Sequence, residues 1–291
     1  MQHNMAYLPD APSVSGTSSK VADISTMFKD WVWTTYLKTP RQSLLSRKLK
    51  ITEADIELKW DRVKITSLTP KYTKVQVSPT KVHVLYDSKY DNSTKEDQEQ
   101  TFRAEKETVS TATTKLTKGF SRDINVGIEL TLPPDLYQPS KAEASFGHRL
   151  YVDNEEQNTI ESKVKWSVDT KITSRSNVVT VAELTIEETS CLYEFSMDVK
   201  LKGTVLAVIR DTRGERRHVM TVQGDVATVL RDIKDKNRSG KLSNVGINNS
   251  RTVTWPVSGI VHLKYGVSQT VKIHEQESQS NSEQDSQSNR R

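Results

Sequence analysis

A first arm of alternating sequence reads Ile124-Asn-Val-Gly-Ile128-Glu-Leu-Thr-Leu132, and a second reads Lys141-Ala-Glu-Ala-Ser-Phe-Gly-His-Arg-Leu-Tyr-Val152. The proline-rich turn Pro133–Ser140 joins the two arms. Their even positions are apolar, with His148 as the exception, and the odd positions of the first arm are polar or glycine. A period of two indicates a strand with one apolar and one solvated face, so the two arms predict an amphipathic β-hairpin.

This hairpin has two interpretations. Each arm has about the length of a strand that crosses a bilayer at a tilt, roughly 9–11 residues. An amphipathic hairpin is also the half-buried edge of an ordinary antiparallel sheet. The alternation alone favours the ordinary sheet, because one barrel segment carries a weak sequence signal. The rest of the chain therefore has to separate the two interpretations.

The composition favours an extended β-protein. Only 34% of the 291 residues are hydrophobic, which predicts thin cores and long sheets rather than a compact enzyme. The 42 lysines and arginines are interleaved with 37 acidic residues, and the net charge is +5. Nucleic-acid binding needs clustered basic residues, so we expect no nucleic-acid partner. The single cysteine, Cys191, excludes an internal disulfide and is expected to be a small buried hydrophobic residue.

Sequence motifs for catalysis and cofactor binding are missing. The six histidines are scattered, and there is no HExxH, paired CxxC, phosphate-binding glycine loop or GxSxG. We therefore predict no enzyme activity, no catalytic residues, no cofactor and no metal site. No apolar run is long enough for a transmembrane helix, and no signal peptide is visible at the start of this chain. Three interpretations stay open: this is the mature form of a protein that is secreted or released in soluble form, the protein leaves its cell by another route, or it stays inside its cell.

The N-terminal region combines a polar arm with an aromatic helix. Residues 1–20 are rich in serine, proline and glycine, and the spacing of apolar residues predicts a helix over Val21–Leu37 that ends before Pro40. Trp31, Trp33 and Tyr36 cannot all face one core. Packing against the following strands is the favoured interpretation. Exposure for docking on sugar or lipid head groups is the alternative, which makes these three residues candidate receptor-binding residues.

Strand periodicity covers most of the remaining chain. The segment 51–68 is predicted to be mixed, and Ile56, Leu58, Trp60, Val63 and Ile65 in it suggest strands. Candidate strands lie at 73–77, 81–86, 103–118, 161–176, 177–188, 192–209, 218–222, 226–230 and 257–264. The strand at 103–118 is dense in threonine, which keeps β propensity without committing either face to burial. The polar end at 275–291 offers little apolar surface to bury, so it is expected to be disordered.

The order of these segments resembles the aerolysin-like pore-forming toxins, in particular the clostridial epsilon-toxin and mosquitocidal-toxin branch. The polar link Asn92–Phe102 is similar to the segment that opens the family's long strand. The threonine-rich 106–118 follows and ends in Gly119-Phe120. The alternating hairpin lies where the family keeps its membrane-inserting loop, and Leu201-Lys-Gly-Thr-Val205 follows the returning strand. The resemblance covers roughly 71–209; His148 and the charged flank 153–156 depart from the pattern.

The resemblance implies a mainly β, elongated aerolysin-like fold of long twisted antiparallel strands with a small helix-containing N-terminal head. It divides the chain into a receptor-binding head at 1–72, a pore-forming module at 73–265 and a disordered polar tail at 266–291. The membrane-inserting hairpin falls at about 120–154. The implied function is that of a cytolysin, and the alternative is a non-lytic aerolysin-like protein that binds glycan or lipid in defence or storage.

The implied mechanism starts with binding to a target-cell membrane through a lipid, glycan or protein receptor. A homo-oligomeric, heptamer-like ring then inserts its hairpins, which pair into one closed barrel and leave no backbone unpaired in lipid. The expected lipid face consists of Ile124, Val126, Ile128, Leu130, Leu132, Ala142, Ala144, Phe146, Leu150 and Val152. The expected lumen face consists of Asn125, Glu129, Thr131, Lys141, Glu143, Ser145 and Arg149. The expected tip consists of Pro134, Leu136 and Tyr137. In the expected register Leu130 pairs with Ala144 and Ile128 with Phe146.

Overall fold

The computed structural model describes residues 20–40, 49–122, 127–132, 146, 149–152, 157–236 and 242–277. Within these residues the protein is mainly β, as predicted, with long antiparallel strands and two longer helices. Neither helix of the described part is long and apolar enough to cross a bilayer.

The elements follow one another along the chain as a run of strands interrupted by the two helices. They are β1 Lys20–Asp23, α1 Ile24–Leu37, β2 Ala54–Lys59, β3 Val63–Ser67, β4 Lys71–Val77, β5 Lys81–Asn92, β6 Gln98–Ser121, β7 Ile128–Thr131, β8 Arg149–Val152, β9 Asn158–Ser174, β10 Val178–Asp211, β11 Arg217–Asp225, α2 Val226–Lys236, β12 Gly246–Ile247 and β13 Thr252–Glu277.

Strand β10 is the axis of the sheet. One edge pairs with β13 from Val178↔Glu277 to Lys202↔Thr252 and then with β11. The other edge pairs in turn with β5, β4, β3 and β2. The predicted strands at 177–188 and 192–209 are therefore one strand. The pairing with its neighbours shifts register at several points, but these shifts do not interrupt the extended backbone of β10 itself.

Strand β6 pairs with β13, β1 and β9. Its C-terminal half pairs with β13, and its last residues pair in parallel with β1. Its residues Gln98–Thr114 pair with β9. The β6–β9 pair and β10 together enclose a small core that includes Phe102, Ile172 and Leu184.

The main core lies on the opposite side of β10. Cys191, Tyr193 and Phe195 point into it, at odd positions, whereas Leu184 points into the small core. Successive side chains of a strand face opposite sides, so the two cores cover opposite faces of the same strand. Burial of Cys191 confirms its predicted role as a small hydrophobic residue.

The threonine-rich strand is not neutral between its faces, as the sequence suggested. The even positions from 110 to 116 are buried, namely Ser110, Ala112, Thr114 and Leu116, whereas the neighbouring odd positions are partly or fully exposed. The expectation of two uncommitted faces was therefore wrong.

The helices differ from the prediction at both ends of the chain. Residues 21–23 belong to β1, and α1 starts at Ile24 because the Asp23 side chain accepts a hydrogen bond from the Thr26 amide.

The predicted strand 226–230 is wrong, since it is the first part of α2. Asp225 accepts a hydrogen bond from the Thr228 amide, and the buried positions recur at helical spacing: Val226, Ala227, Val229, Leu230 and Ile233.

One continuous sheet crosses the predicted boundary between the head and the pore-forming module. Strands β2 and β3 pair with β10, so the sheet extends across residue 72. Residues 266–277 form part of β13 and pair with 178–188, so the predicted disorder from 266 is wrong up to Glu277. The mostly polar side chains of this segment did not indicate a strand. It forms one because its backbone hydrogen bonds to β10 do not depend on side chains. Residues 278–291 lie outside the described part.

Replacing Gly259 by alanine is expected to destabilise the protein by about 1–3 kcal/mol, since an added Cβ overlaps the carbonyl oxygen of Lys115 and the ring of Phe195. Gly246→Ala is the matched control, because its Cβ comes no closer than 3.7 Å to a neighbour. Urea unfolding followed by fluorescence compares the two. Equal midpoints would show that β6 and β13 can separate at Gly259 at little cost.

Candidate functional site

The predicted hairpin forms a two-stranded antiparallel sheet of its own. Strands β7 and β8 pair Ile128 with Val152 and Leu130 with Leu150. This register differs from the one expected for the inserted hairpin, with Leu130 opposite Ala144, which stays a prediction. Even positions still oppose even positions, so the predicted division into an apolar and a polar face is preserved.

The apolar face of this hairpin is buried in the main core. Ile128, Leu130, Leu150 and Val152 have no exposed surface, and Leu132 is 1% exposed. Their neighbours in the core include side chains of β10 and β13, and Phe146 packs against the same cluster. The large sheet thus shields from water the side chains that the sequence assigns to a lipid face.

Only two hydrogen bonds in the described residues join the hairpin to β3 and β4. The Tyr72 hydroxyl donates to the Thr131 carbonyl at 3.1 Å, and the Glu129 amide donates to Ser67 Oγ at 3.3 Å. Burial raises the pKa of Tyr72 far above its ordinary value, so this hydroxyl stays protonated as a donor. Side-chain packing rather than a shared ladder therefore holds the hairpin on the sheet.

The opposite face of the hairpin is polar and accessible. Arg149 Nε lies 3.2 Å from Glu129 Oε1 in an exposed ion pair, and Thr131 and Tyr151 are also exposed. This face carries three of the residues that were predicted for the lumen. The ion pair contributes little to stability because water solvates both partners.

The strands that flank the hairpin in sequence have a charged outer face. Along β6–β9, Lys171 lies 2.9 Å from Glu99 and Lys165 lies 3.0 Å from Glu105. The hydrogen bond to Glu105 raises the pKa of Lys165. Further pairs join Arg103 to Asp169 at 3.6 Å and Lys163 to Glu107 at 3.9 Å. These partners are mostly exposed, so the outer face is compatible with water in any arrangement of the two strands.

Several predicted site residues lie outside the described residues. They are Ile124, Asn125, Val126, Pro134, Leu136, Tyr137, Lys141, Ala142, Glu143, Ala144 and Ser145. Their assignments to lipid face, lumen face and tip stay predictions. His148, which departs from the apolar pattern, also lies outside the described residues.

The aromatic residues of α1 are largely packed rather than displayed. Tyr36 is fully buried, and the Trp33 ring contacts it at a tilt of 40° with ring centroids 5.2 Å apart. Trp31 Nε1 donates to Asp232 of α2 at 3.3 Å. Tyr36 therefore has no surface for a receptor in this conformation, contrary to the exposed alternative. Receptor binding by the half-buried Trp31 and Trp33 stays a prediction.

A polar contact that the sequence did not reveal joins β10 to β13. His262 Nε2 lies 2.7 Å from Ser190 Oγ, and both side chains are half-buried. The two residues are 72 positions apart, so only the register of the long strands brings them together. Burial, and then the charge of Lys264, lower the pKa of His262. No group of three or more potential metal ligands occurs in the described part of the chain.

The depressed pKa of His262 predicts acid sensitivity. His262 in the unfolded chain binds a proton at about pH 6.5, whereas in the folded protein it binds a proton only at lower pH. The free energy of unfolding therefore decreases as the pH falls below about 6.5. We expect His262→Gln to lose less stability than the wild type between pH 7.5 and 5. Urea midpoints at both pH values test this, with exposed His218→Gln as the control. Parallel pH profiles of wild type and His262→Gln would contradict it.

No protein-family model and no curated protein matches the sequence. Among solved structures, a non-toxic crystal protein from Bacillus thuringiensis superposes with a TM-score of 0.53 and 10% identity, over 88% of this chain and 98% of that one. The chain has an aerolysin-like fold.

Two weaker matches concern proteins that are described as toxins or pore formers. The parasporin-2 toxin of Bacillus thuringiensis, which recognizes cancer cells, has a TM-score of 0.41 and 13% identity over 88% of this chain and 96% of that one. The Mpp75Aa1.1 β-pore-forming protein from Brevibacillus laterosporus has a TM-score of 0.41 and 14% identity over 89% and 90%. Membership of the epsilon-toxin and mosquitocidal-toxin branch stays a prediction.

Proposed function

We propose that this aerolysin-like protein forms pores by inserting the β7–β8 hairpin and its connecting segment into a target membrane. One observation carries the proposal: a separate two-stranded sheet buries a continuous apolar face on the protein and keeps a polar face in water. Once released, such a hairpin presents one face to lipid and the other to an aqueous lumen.

Assembly follows from the physics of the bilayer. A single hairpin leaves two edges of unpaired backbone in lipid, so several protomers have to close a barrel. We propose a homo-oligomeric ring, heptamer-like by family resemblance, on a target-cell membrane that each protomer binds through a lipid, glycan or protein receptor. Secretion or release as a soluble protein fits the buried apolar face.

The competing function is non-lytic binding of glycan or lipid in defence or storage. The fold does not distinguish the two functions, because a crystal protein that is described as non-toxic shares it. Under this alternative the hairpin stays on the sheet and its apolar residues serve only as core.

Dye release separates the two functions. Vesicles of phosphatidylcholine, phosphatidylserine and cholesterol, and red blood cells as a second membrane, are incubated with the protein and then imaged by electron microscopy. Pore formation predicts leakage together with rings. Binding without leakage at micromolar protein on both membranes would favour the non-lytic function.

A further inference from the structure

The hairpin and its flanking strands pair in different registers. The β6–β9 pairing runs without a shift and ends at Thr114↔Asn158. Continued toward the hairpin, it would place Phe120 opposite Val152. Val152 instead pairs with Ile128, eight residues farther along the first arm. The two ladders therefore cannot be parts of one regular hairpin.

The excess length lies in the first arm. Residues 115–127 separate the two ladders on that side, whereas only 153–157 separate them on the other. The first arm uses part of this excess to pair with β13 up to Lys118 and with β1 from Lys118 to Ser121. On the short side, Asn158 Nδ2 donates to the Tyr151 carbonyl at 2.6 Å.

The difference between the registers is an even number of residues. A shift by an odd number turns every side chain of a strand to the other face, whereas an even shift keeps each on its face. Leu130 and Leu150 thus belong to the apolar face in either register, and Glu129 and Arg149 to the polar face. The alternating sequence is compatible with both arrangements.

Ser121 is compatible with the second arrangement. Its hydroxyl is buried and makes no hydrogen bond within the described residues, which is unfavourable. In the continued β6–β9 register Ser121 would lie opposite Tyr151, on the polar face. The change to the β6–β9 register would therefore move the Ser121 hydroxyl from a buried position to the solvated face.

We propose that the hairpin changes register when the pore forms: β7 and β8 separate, the first arm leaves β1 and β13, and the arms pair again in the β6–β9 register. A discontinuity of eight residues would leave backbone groups unpaired inside a barrel wall, which lipid does not tolerate. The present register accordingly keeps the protein in its soluble form. This inference rests on the proposed pore function.

A disulfide that locks the present register tests the proposal. In a Cys191→Ser background, Glu129→Cys with Tyr151→Cys places two thiols at directly opposite positions on the polar face. The oxidised protein is expected to fold and to release no dye from the vesicles described above, and dithiothreitol should restore leakage. The matched control is Arg103→Cys with Asp169→Cys, which are opposite in β6–β9 and exposed. Its oxidised form should leak like its reduced form.

A second pair reports the new register. Ser121→Cys with Tyr151→Cys should stay reduced in solution and form a disulfide only after assembly on vesicles, as judged by mass spectrometry. Leakage by the oxidised Glu129–Tyr151 variant would overturn the register change and leave the pore function standing. If the reduced variants and the wild type all fail to leak, the pore function itself is refuted and the register change with it.

Discussion

Replacing Leu130 by aspartate is expected to destabilise the soluble protein by about 3–5 kcal/mol and to abolish leakage. The side chain has no exposed surface, so the substitution removes apolar packing and leaves an unpaired charge in the core. Thr131→Asp, one residue away on the exposed face, should change neither property. Urea unfolding is measured first, and dye release is measured on protein that is still folded.

Leu130→Ala distinguishes the role of this side chain in the soluble core from its role on the proposed lipid face. It also creates a cavity in the soluble core and costs about 2–5 kcal/mol, but it keeps the face apolar. If the hairpin must leave the sheet before insertion, weaker packing makes that step easier, so this variant should leak at least as fast as the wild type. Loss of leakage in both variants in proportion to lost stability would show that Leu130 acts only as core.

The sequence predicted the faces of the hairpin but not its register. Alternation at Ile128 and Leu130 fixes which side chains share a face, and the structure buries that face as one unit. Register depends on which turn closes the arms and on where each arm is held. Here β13 and β1 hold the first arm through backbone pairing, which leaves no trace in the alternation.

Longer-range features were also beyond the sequence. The resemblance supplied the fold, yet the last part of β13, residues 266–277, was predicted to be a disordered tail because most of its side chains are polar. Packing was the favoured interpretation of the aromatic residues in α1, but the sequence did not show that Tyr36 would be the one fully buried against the sheet. In α2 the capping residue Asp225 and the helical spacing of Val226, Leu230 and Ile233 were signals that the β-branched composition obscured.

Reversing the charges of the exposed ion pair is expected to change the ion selectivity of the pore without changing the stability of the monomer. Glu129 and Arg149 lie on the polar face, where one charge from each protomer forms a ring around the proposed lumen. Glu129→Lys adds two positive charges per protomer and should make the pore prefer anions. Arg149→Glu adds two negative charges and should make it prefer cations.

The charge swap completes this test. The double variant Glu129→Arg with Arg149→Glu keeps the net charge of each protomer, so it should return the reversal potential in a salt gradient to near the wild-type value. Glu215→Lys, in the exposed turn before β11, is the control for a charge change away from the hairpin and should leave the reversal potential unchanged. Melting temperatures should agree across the set, because an exposed ion pair contributes about 0–1 kcal/mol. If the two single variants conduct with the same selectivity as the wild type, Glu129 and Arg149 do not line the pore.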